Sequence, residues 1–473
     1  MKNWFTLLLC LLPFLSIGQV VTVSEEMSIR NSRTYDLIGK LQDRILLYRQ
    51  KSSDKYEIQA YDERLRLSWD KQLELDHKKS EVITIIPDDD QFCVIYRYKK
   101  KGTIYVKAHK YDPAANLIDS VTIIKTNRRF FNPNYQTTFS EDRKSLLIFT
   151  IEKQTKVQAV SFNLKTMQVR WDSKFTLVDP SFYNNHMEIL VNNQGGMYFI
   201  VSHNNRKSKR EDHFYEILHC RQGLSKIERM TISMESKLSF DVVFSYDNLN
   251  QNLVAGGLYS IKNLNRANGY FSMIVPTSNP KNHSLKFVPF DDDFVSDLEG
   301  KRIKENKGIN DVEIREVVFR RDGGMLLIYE MTKLYERRLN SSRNTGGVGL
   351  SYTVDYYYDN LFIISVHPDG DTHWKNILHK KQYSQDDGAS YSSYFLLKTP
   401  MNLRLLFNDE IRHENTVSEY VLTGKGELDR NSVFSTENQD IRLQFTNAMQ
   451  IASNELLVPS VRRNQLRLVR VTY

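Results

Sequence analysis

The sequence predicts an all-β fold, a β-propeller of most simply eight four-stranded blades. Strand-forming aromatic residues are abundant, with 26 Tyr and 24 Phe among 473 residues. One strand-rich unit recurs along the chain with a period of about 50 residues, which is typical of propeller blades. Asp, Asn and Gly concentrate in the turns between short apolar runs. This composition also argues against a disordered chain.

The repeat is clearest in its opening strand and first turn. Residues 82–90, 187–196 and 314–324 each join an apolar run to a turn rich in Asp, Asn or Gly, and an apolar strand follows each turn. Residues 56–61 alternate apolar and polar side chains, which indicates a strand in a later position of the unit. Tight turns between such runs favour antiparallel neighbours.

Three tryptophans occupy one position of the repeat, at the start of the closing strand. They are Trp69, Trp171 and Trp374. An indole at this position can cover the flank of its own sheet. We therefore expect these tryptophans to pack within the fold rather than to bind a ligand.

The number of units follows from the opening strands. These strands are predicted to start near residues 34, 80, 135, 186, 239, 312, 391 and 441. The last unit has three strands of its own, at 443–451, 456–462 and 466–473, and residues 20–24 form a strand without a repeat. We expect residues 20–24 to complete the last blade and close the ring, which protects the sheet edges. Seven blades, or two smaller domains, stay open as alternatives.

Residues 1–19 have the composition of a secretory signal peptide. Lys2 precedes an apolar stretch that Pro13 interrupts and small residues follow. The stretch is too short to span a membrane, and no later apolar run is long enough. We expect residues 20–473 to form a single propeller domain, exported to the periplasm or the cell surface, without a transmembrane segment.

The net charge indicates which partners to expect, and the positions of the cysteines indicate whether they form a disulfide. The formal net charge of +8 is mild for this length, so we expect no nucleic-acid partner. Several basic clusters fall in turns between second and third strands, where they would share one side of the ring. Cys93 and Cys220 lie in apolar strands of different units, so we expect buried free thiols.

An insertion at about 291–311 follows the fifth unit. It begins with three aspartates and continues with helix-forming and then basic residues, which predicts a short helix. Phe294, Leu298 and Ile303 would share one face of this helix. We expect that face to dock on the propeller itself.

A second insertion, at about 333–358, lies within the sixth unit. Its pattern predicts a long hairpin that projects beyond the blade, with a polar tip and with Arg and Tyr near its stem. Tyr and Arg are enriched at binding hot spots, whereas Tyr is also a good strand former that can face inward. The candidate partner-binding residues are Tyr335, Arg337, Arg338, Arg343, Tyr352, Tyr356 and Tyr357.

Several segments of the chain carry a resemblance to a known kind of protein. The segments are 16–19, 322–324, 374–377, 381–382, 392–394 and 407–409. With its repeats, the chain resembles secreted β-propeller repeat proteins of the Bacteroidota type, an uncharacterised family. The resemblance implies an exported propeller and brings no activity with it. WD40 and kelch signatures are absent from the sequence.

The sequence contains none of the common catalytic motifs. HExxH, GxSxG, GxxxxGK[ST] and GxGxxG are all missing. We predict no catalytic residue, no cofactor and no metal site. The predicted function is that of an exported, non-enzymatic binding or scaffold protein of the cell envelope, with a protein or glycan partner. The alternative is a carbohydrate-active hydrolase or lyase with paired carboxylates at the ring axis.

Overall fold

The chain forms eight antiparallel β-sheets in a ring, an eight-bladed β-propeller. The computed structural model describes residues 19–30, 32–88, 90–127, 132–177, 186–206, 211–221, 227–302, 307–339, 351–411, 416–437 and 441–473, without the side chains at 338, 339 and 351. The predicted signal peptide lies outside the described residues, except for Gln19. The prediction of eight four-stranded blades is confirmed.

The strands follow one another as meanders, four to a blade. The N-terminal strands and blades 1 to 3 are β1 (Val20–Val23), β2 (Met27–Ser28), β3 (Thr34–Leu41), β4 (Arg44–Ser52), β5 (Lys55–Tyr61), β6 (Leu67–Leu73), β7 (Glu81–Pro87), β8 (Phe92–Lys100), β9 (Thr103–Tyr111), β10 (Leu117–Asn127), β11 (Gln136–Phe139), β12 (Ser145–Glu152), β13 (Lys156–Asn163) and β14 (Gln168–Thr176). Blades 4 and 5 and the helix after them are β15 (Met187–Val191), β16 (Met197–His203), β17 (Phe214–Cys220), β18 (Glu228–Ser233), β19 (Leu238–Asp247), β20 (Asn252–Ser260), β21 (Gly269–Pro276), β22 (Ser284–Pro289) and α1 (Asp292–Glu299). Blades 6 to 8 contain β23 (Val312–Phe319), β24 (Met325–Leu339), β25 (Ser351–Val366), β26 (Thr372–Leu378), β27 (Gln382–Gln385), β28 (Phe395–Lys398), β29 (Asn402–Asn408), β30 (Thr416–Thr423), β31 (Leu428–Ser435), β32 (Met449–Ala452), β33 (Glu455–Arg462) and β34 (Gln465–Thr472).

The hydrophobic core is divided among the interfaces between blades. Eight apolar clusters each combine residues of two neighbouring blades. The central strands of a blade are therefore buried on both faces, and they read as continuous apolar runs rather than as alternating ones. In β16, for example, every residue is buried. This arrangement explains why the apolar runs identified the units in the sequence.

The N-terminal strand closes the ring, as predicted. β1 pairs antiparallel with β34, from Val20 opposite Thr472 to Val23 opposite Val469. Val21 and Val23 pack against the core between blades 7 and 8. The short strand β2 also pairs with β34, a contact that the sequence did not predict. The last blade thus takes three strands from the C-terminus, and β1 and β2 together form its edge beside β34.

The predicted starts of the last two blades are wrong by a few residues. The seventh blade opens at Phe395 rather than near 391, and the eighth opens at Met449 rather than near 441. The segment predicted as a strand at 443–451 contains a 3-10 helix at Phe445–Asn447 and only then the strand. Non-local packing outweighs the local strand preference here, because Phe445 is buried in the interface between blades 7 and 8.

The three repeated tryptophans pack between blades, as predicted. The indole of Trp171 in blade 3 donates a 2.9 Å hydrogen bond to the carbonyl of Gly195 in blade 4. Trp374 of blade 6 lies directly against Gly426 of blade 7, where a Cβ would come within 2.8 Å of the indole. Trp69 packs against the core between blades 1 and 2.

The predicted helix of the first insertion is α1, and its docking on the propeller is confirmed. Asp291 caps it by accepting a 2.7 Å hydrogen bond from the backbone N–H of Phe294, and Gly300 ends it in a left-handed conformation. Phe294 and Leu298 are buried in the core between blades 5 and 6. Ile303, the third residue predicted on this face, lies outside the described residues.

Successive blades repeat the same strand direction, so the turns fall into two sets at opposite ends of the ring. One end has the turns between second and third strands together with the connections between blades, and we call it the insertion face. It holds α1, β27 and the turns next to the described basic residues Lys99, Lys100, Lys101, Arg206, Arg337, Arg462 and Arg463. The shared side predicted for the basic turns follows from this topology. Arg128, Arg129 and 207–210 lie outside the described residues.

Candidate functional site

Blade 6 extends beyond the ring on the insertion face. β24 and β25 have 15 and 16 residues, and their pairing continues from Thr332 opposite Tyr358 to Leu339 opposite Ser351. β27 then pairs with the other side of β25, which makes the extension three-stranded. No described strand pairs with the outer edge of β24 beyond Met331. The predicted projecting hairpin is therefore present, as a sheet with one open edge; its tip, 340–350, lies outside the described residues.

The strand alternation separates the predicted partner-binding residues into two groups. Side chains of a strand point alternately to opposite faces, and cross-strand partners share a face. Tyr335 and Arg337 therefore share one face with Tyr357, whereas Tyr352 and Tyr356 lie on the opposite face. Arg343 and the side chain of Arg338 lie outside the described residues. The sequence-predicted set is thus not one surface.

The first of these faces carries a ladder of three tyrosines across the three strands. The rings of Tyr335 and Tyr357 meet edge to face with centroids 6.0 Å apart, and the ring of Tyr383 from β27 lies 5.0 Å from that of Tyr357. The ammonium of Lys333 lies 4.6 Å from the centre of the Tyr335 ring. The Tyr335 side chain is 47% exposed. We call these four residues the tyrosine face.

A buried carboxylate holds the tyrosine face in place. Asp355 accepts hydrogen bonds of 2.8 Å from the Arg337 guanidinium and 2.8 Å from the Tyr383 hydroxyl. Asp355 is 2% exposed, and its second oxygen also contacts Arg337. Because Arg337 is bound in this way, it positions the ladder in addition to presenting charge. Sequence reasoning missed Tyr383, since only the pairing of β27 with β25 brings it to the hairpin. It also missed the role of Asp355, which lies within the hairpin but takes part in the site through its contacts with Arg337 and Tyr383.

A buried ion pair fixes the base of the extension. The Lys380 ammonium and the Glu330 carboxylate are both fully buried and lie 2.7 Å apart. Lys380 also donates to the backbone carbonyl of Tyr358 and to the side chain of Gln382, each at 2.9 Å. Burial lowers the pKa of Lys380 even though Glu330 opposes this shift. The pair joins the last turn of the blade to β25 and β27.

Between the blade and its extension, the register of β24 and β25 breaks. Glu330 lies opposite Leu361 and Thr332 opposite Tyr358, so that Met331 faces two residues, Asp359 and Asn360. This is a β-bulge, which re-aims the strands that follow it. A cleft of ≈ 450 Å³ opens at the bulge, between the end of α1 and the strand ends of blade 6. We call it the bulge cleft.

Carboxylates also lie on the innermost strands, where the alternative function would need them. Glu188 accepts a 2.9 Å hydrogen bond from the backbone N–H of Phe244, and Asp241 accepts one of 2.9 Å from the N–H of Ile314. In both cases the N–H belongs to the innermost strand of the next blade, which has no strand partner on that side. Burial raises the pKa of Asp241 and of Glu316. These contacts give Glu188 and Asp241 a structural role in joining blades.

The remaining predicted features are simpler. Cys93 and Cys220 are free and buried, as predicted, and burial raises the pKa of the Cys93 thiol to about 12. Asp291 caps α1 and forms an ion pair of 2.6 Å with Lys375. In the described part of the chain, no helix combines the length and the apolar character needed to cross a membrane.

The fold and its extension define an eight-bladed β-propeller with an elaborated insertion face. No protein-family model matches the chain, and no curated protein matches it either. Among solved structures, the chain is similar to the WD40 domain of SCAP from fission yeast, with 8% identity, coverage of 95% of this chain and 98% of that one, and a TM-score of 0.42. Sqt1 from Saccharomyces cerevisiae matches with 10% identity, coverage of 94% and 99%, and a TM-score of 0.43. The β-propeller domain of the Trilobed protease from Pyrococcus furiosus matches with 12% identity, coverage of 86% and 100%, and a TM-score of 0.37. At such identities the likeness concerns the fold alone.

Proposed function

We propose that this propeller is a non-enzymatic binding protein that holds a protein partner on the tyrosine face of blade 6. A propeller fold fits binding and scaffold roles in general and specifies none of them. The observation that carries the proposal is the ladder of Tyr335, Tyr357 and Tyr383 on a sheet that extends past the ring. Clustered tyrosines beside an arginine are the composition of interface hot spots.

The open edge of β24 supports a polypeptide partner rather than a glycan. The N–H of Thr332 still donates to the carbonyl of Asp311, and beyond it the backbone groups of β24 face no described strand. Such an edge can pair with an extended segment of another chain. The tyrosine rings would then contact side chains of the added segment. The carboxylates Glu188 and Asp241 at the axis are engaged by backbone N–H groups, so we prefer binding to the hydrolase or lyase alternative.

The test compares two tyrosines of equal exposure on opposite faces of the same hairpin. Tyr335 and Tyr352 are each 47% exposed. We expect Tyr335→Ala to weaken capture of the native partner by about 30-fold, the equivalent of a hot spot of about 2 kcal/mol. Tyr352→Ala is the matched control and should leave capture unchanged. Crosslinking pull-down from the native envelope, followed by titration of the captured protein, measures both. Equal loss in the two variants, or in neither, would contradict the proposal.

We also propose that the protein is exported and acts in the periplasm or at the cell surface. The support is the signal-like composition of residues 1–19 and the start of the ring-closing strand at Val20. Cleavage near residue 19 would leave β1 intact, so that processing and ring closure are compatible. Mass spectrometry of the N-terminus after cell fractionation tests this. An unprocessed chain that retains Met1 in the cytoplasm would refute it.

A further inference from the structure

The bulge cleft has a chemistry different from that of the tyrosine face. Four lysines lie along its walls, namely Lys301, Lys307, Lys333 and Lys381, and the fully buried Lys380 lies at its base. Glu330 neutralises Lys380. Lys301 lies 3.1 Å from Glu299 and Lys333 lies 3.4 Å from Asp311. Lys381 is exposed and has no ion-pair partner among the described residues. With Asp359 included, five lysines face the four carboxylates of Glu299, Asp311, Glu330 and Asp359, so the cleft keeps an excess of one positive charge.

The same cleft has hydrogen-bond acceptors without donors. The Oδ1 atoms of Asp359 and Asn310 are buried, and no described group donates a hydrogen bond to either of them. Both residues line the cleft. A buried acceptor without a donor costs free energy of about 1–3 kcal/mol, so such atoms are typically satisfied by a bound molecule or water. In contrast, both ends of the Asn360 amide have a partner: its N–H donates to the carbonyl of Leu298 at 2.8 Å, and its oxygen accepts from the N–H of Lys380 at 3.2 Å.

The two observations together specify the ligand. Lysines attract an anionic group, whereas Asp359 and Asn310 require hydroxyl or N–H donors close to that group. The volume of ≈ 450 Å³ lies within the range of small-molecule sites, about 300–1,000 Å³. A hydroxyl-rich molecule that also carries a carboxylate, sulfate or phosphate meets all three conditions.

We propose that the bulge cleft binds an acidic saccharide. The side chains of Asp359 and Asn310 are only partly buried, so a change in their torsion angles turns the buried oxygens towards the sugar hydroxyls, which donate to them. The acidic group lies against Lys333 and Lys381. This site goes beyond the proposed partner-binding role, because its acceptors are not part of the tyrosine face. Only Lys333 contacts both regions.

The test uses four probes on the whole protein: D-glucuronate, glucose 6-phosphate, glucose and inorganic phosphate. Isothermal titration calorimetry, or saturation-transfer NMR for weak binding, gives the affinities. We expect both acidic sugars to bind more tightly than glucose or phosphate. Lys381→Gln should weaken their binding by about tenfold, as expected for loss of one charged hydrogen bond. Asn310→Ala should weaken both acidic sugars and leave inorganic phosphate unaffected.

Two control variants complete the design. Lys425→Gln removes an exposed lysine from a turn on the opposite end of the ring, and it should not change sugar binding. Tyr335→Ala should also leave sugar binding intact, which separates a failure of this site from a failure of the tyrosine face. If phosphate alone binds as tightly as glucose 6-phosphate, the site recognises an anion and the saccharide proposal is overturned. Absence of binding, or equal loss in Lys425→Gln, overturns it as well.

Discussion

Replacing Glu330 by Gln should destabilise the protein more than replacing its ion-pair partner. The Glu330 carboxylate is fully buried and has three partners: Lys380 at 2.7 Å, the Arg315 guanidinium at 2.7 Å and the Ser393 hydroxyl at 2.6 Å. Glu330→Gln leaves the buried ammonium of Lys380 without a counter-ion and leaves Arg315 with Glu313 alone. Lys380→Met removes one cation only, and Glu330 keeps Arg315 and Ser393.

The magnitudes follow from these contacts. Removing one member of a buried ion pair costs about 3–5 kcal/mol when the other charge stays unpaired, and we expect Glu330→Gln in this range. Lys380→Met loses one charged hydrogen bond, about 1.5–3 kcal/mol, and leaves the carbonyl of Tyr358 without this donor. The double variant removes both charges, so its cost should be smaller than the sum of the single costs by at least about 1 kcal/mol.

Urea unfolding of the purified wild type, both single variants and the double variant measures these free energies. The deficit of Glu330→Gln should shrink as the pH rises, because the fold already lowers the pKa of Lys380 and the lysine can then lose its proton. The interpretation is refuted if Glu330→Gln is within about 0.5 kcal/mol of the wild type, or if Lys380→Met costs more than Glu330→Gln.

Three further predictions concern the ring itself. Deletion of residues 20–24 removes four cross-strand residue pairs with β34; we expect a loss of about 4 kcal/mol and self-association through the exposed edge, measured by thermal unfolding and size-exclusion chromatography. The ring of His219 stacks on that of Tyr198 with centroids 4.2 Å apart, and burial lowers the pKa of His219 from 6.5 to about 4. Because the fold favours the neutral form, the contribution of His219 to stability is complete above pH 6.5 and falls by about 2 kcal/mol by pH 5. In urea titrations, His219→Phe should therefore lose less stability between pH 7.5 and 5 than the wild type does. Gly257→Ala should lower the thermal midpoint, since a Cβ would lie 2.6 Å from the carbonyl of Asp241; an unchanged midpoint would contradict this.

The blade count could be predicted because every blade buries its strands in the same way. Its central strands are buried against two neighbours, so each blade leaves apolar runs at a regular spacing in the sequence. Ring closure could also be predicted from the sequence, since residues 20–24 form a strand outside any repeat and the last unit has only three strands. The first residues of the last two blades could not be predicted as accurately. Before blade 7 the chain forms β27 and returns through a turn in which Gln382 donates to the carbonyls of Ser393 and Asn408, contacts that no local pattern reveals.

The composition of the second insertion pointed to the correct region and mixed its two faces. Tyr335 and Tyr352 look equivalent in the sequence, yet the pairing of Tyr335 with Asp355 places them on opposite sides. Alternation within one strand can be read from sequence, whereas the register across a hairpin depends on the length and shape of its turn. Tyr383 adds a second, non-local dependence, because it reaches the ladder only through the pairing of β27 with β25.

The geometry of blade 6 separates the residues that hold the candidate sites from those that would contact ligands. The bulge at Met331 interrupts the pairing of β24 with β25. The Glu330–Lys380 pair supplies the contacts that hold β25 and β27 on either side of this break. Loss of this pair should therefore displace Tyr383 and the cleft residues together, affecting partner and sugar binding at once. Tyr335→Ala and Asn310→Ala, in contrast, should each affect one kind of binding and leave the unfolding free energy nearly unchanged. Measuring stability alongside both affinities in these variants thus distinguishes residues that position the sites from residues that recognise the ligands.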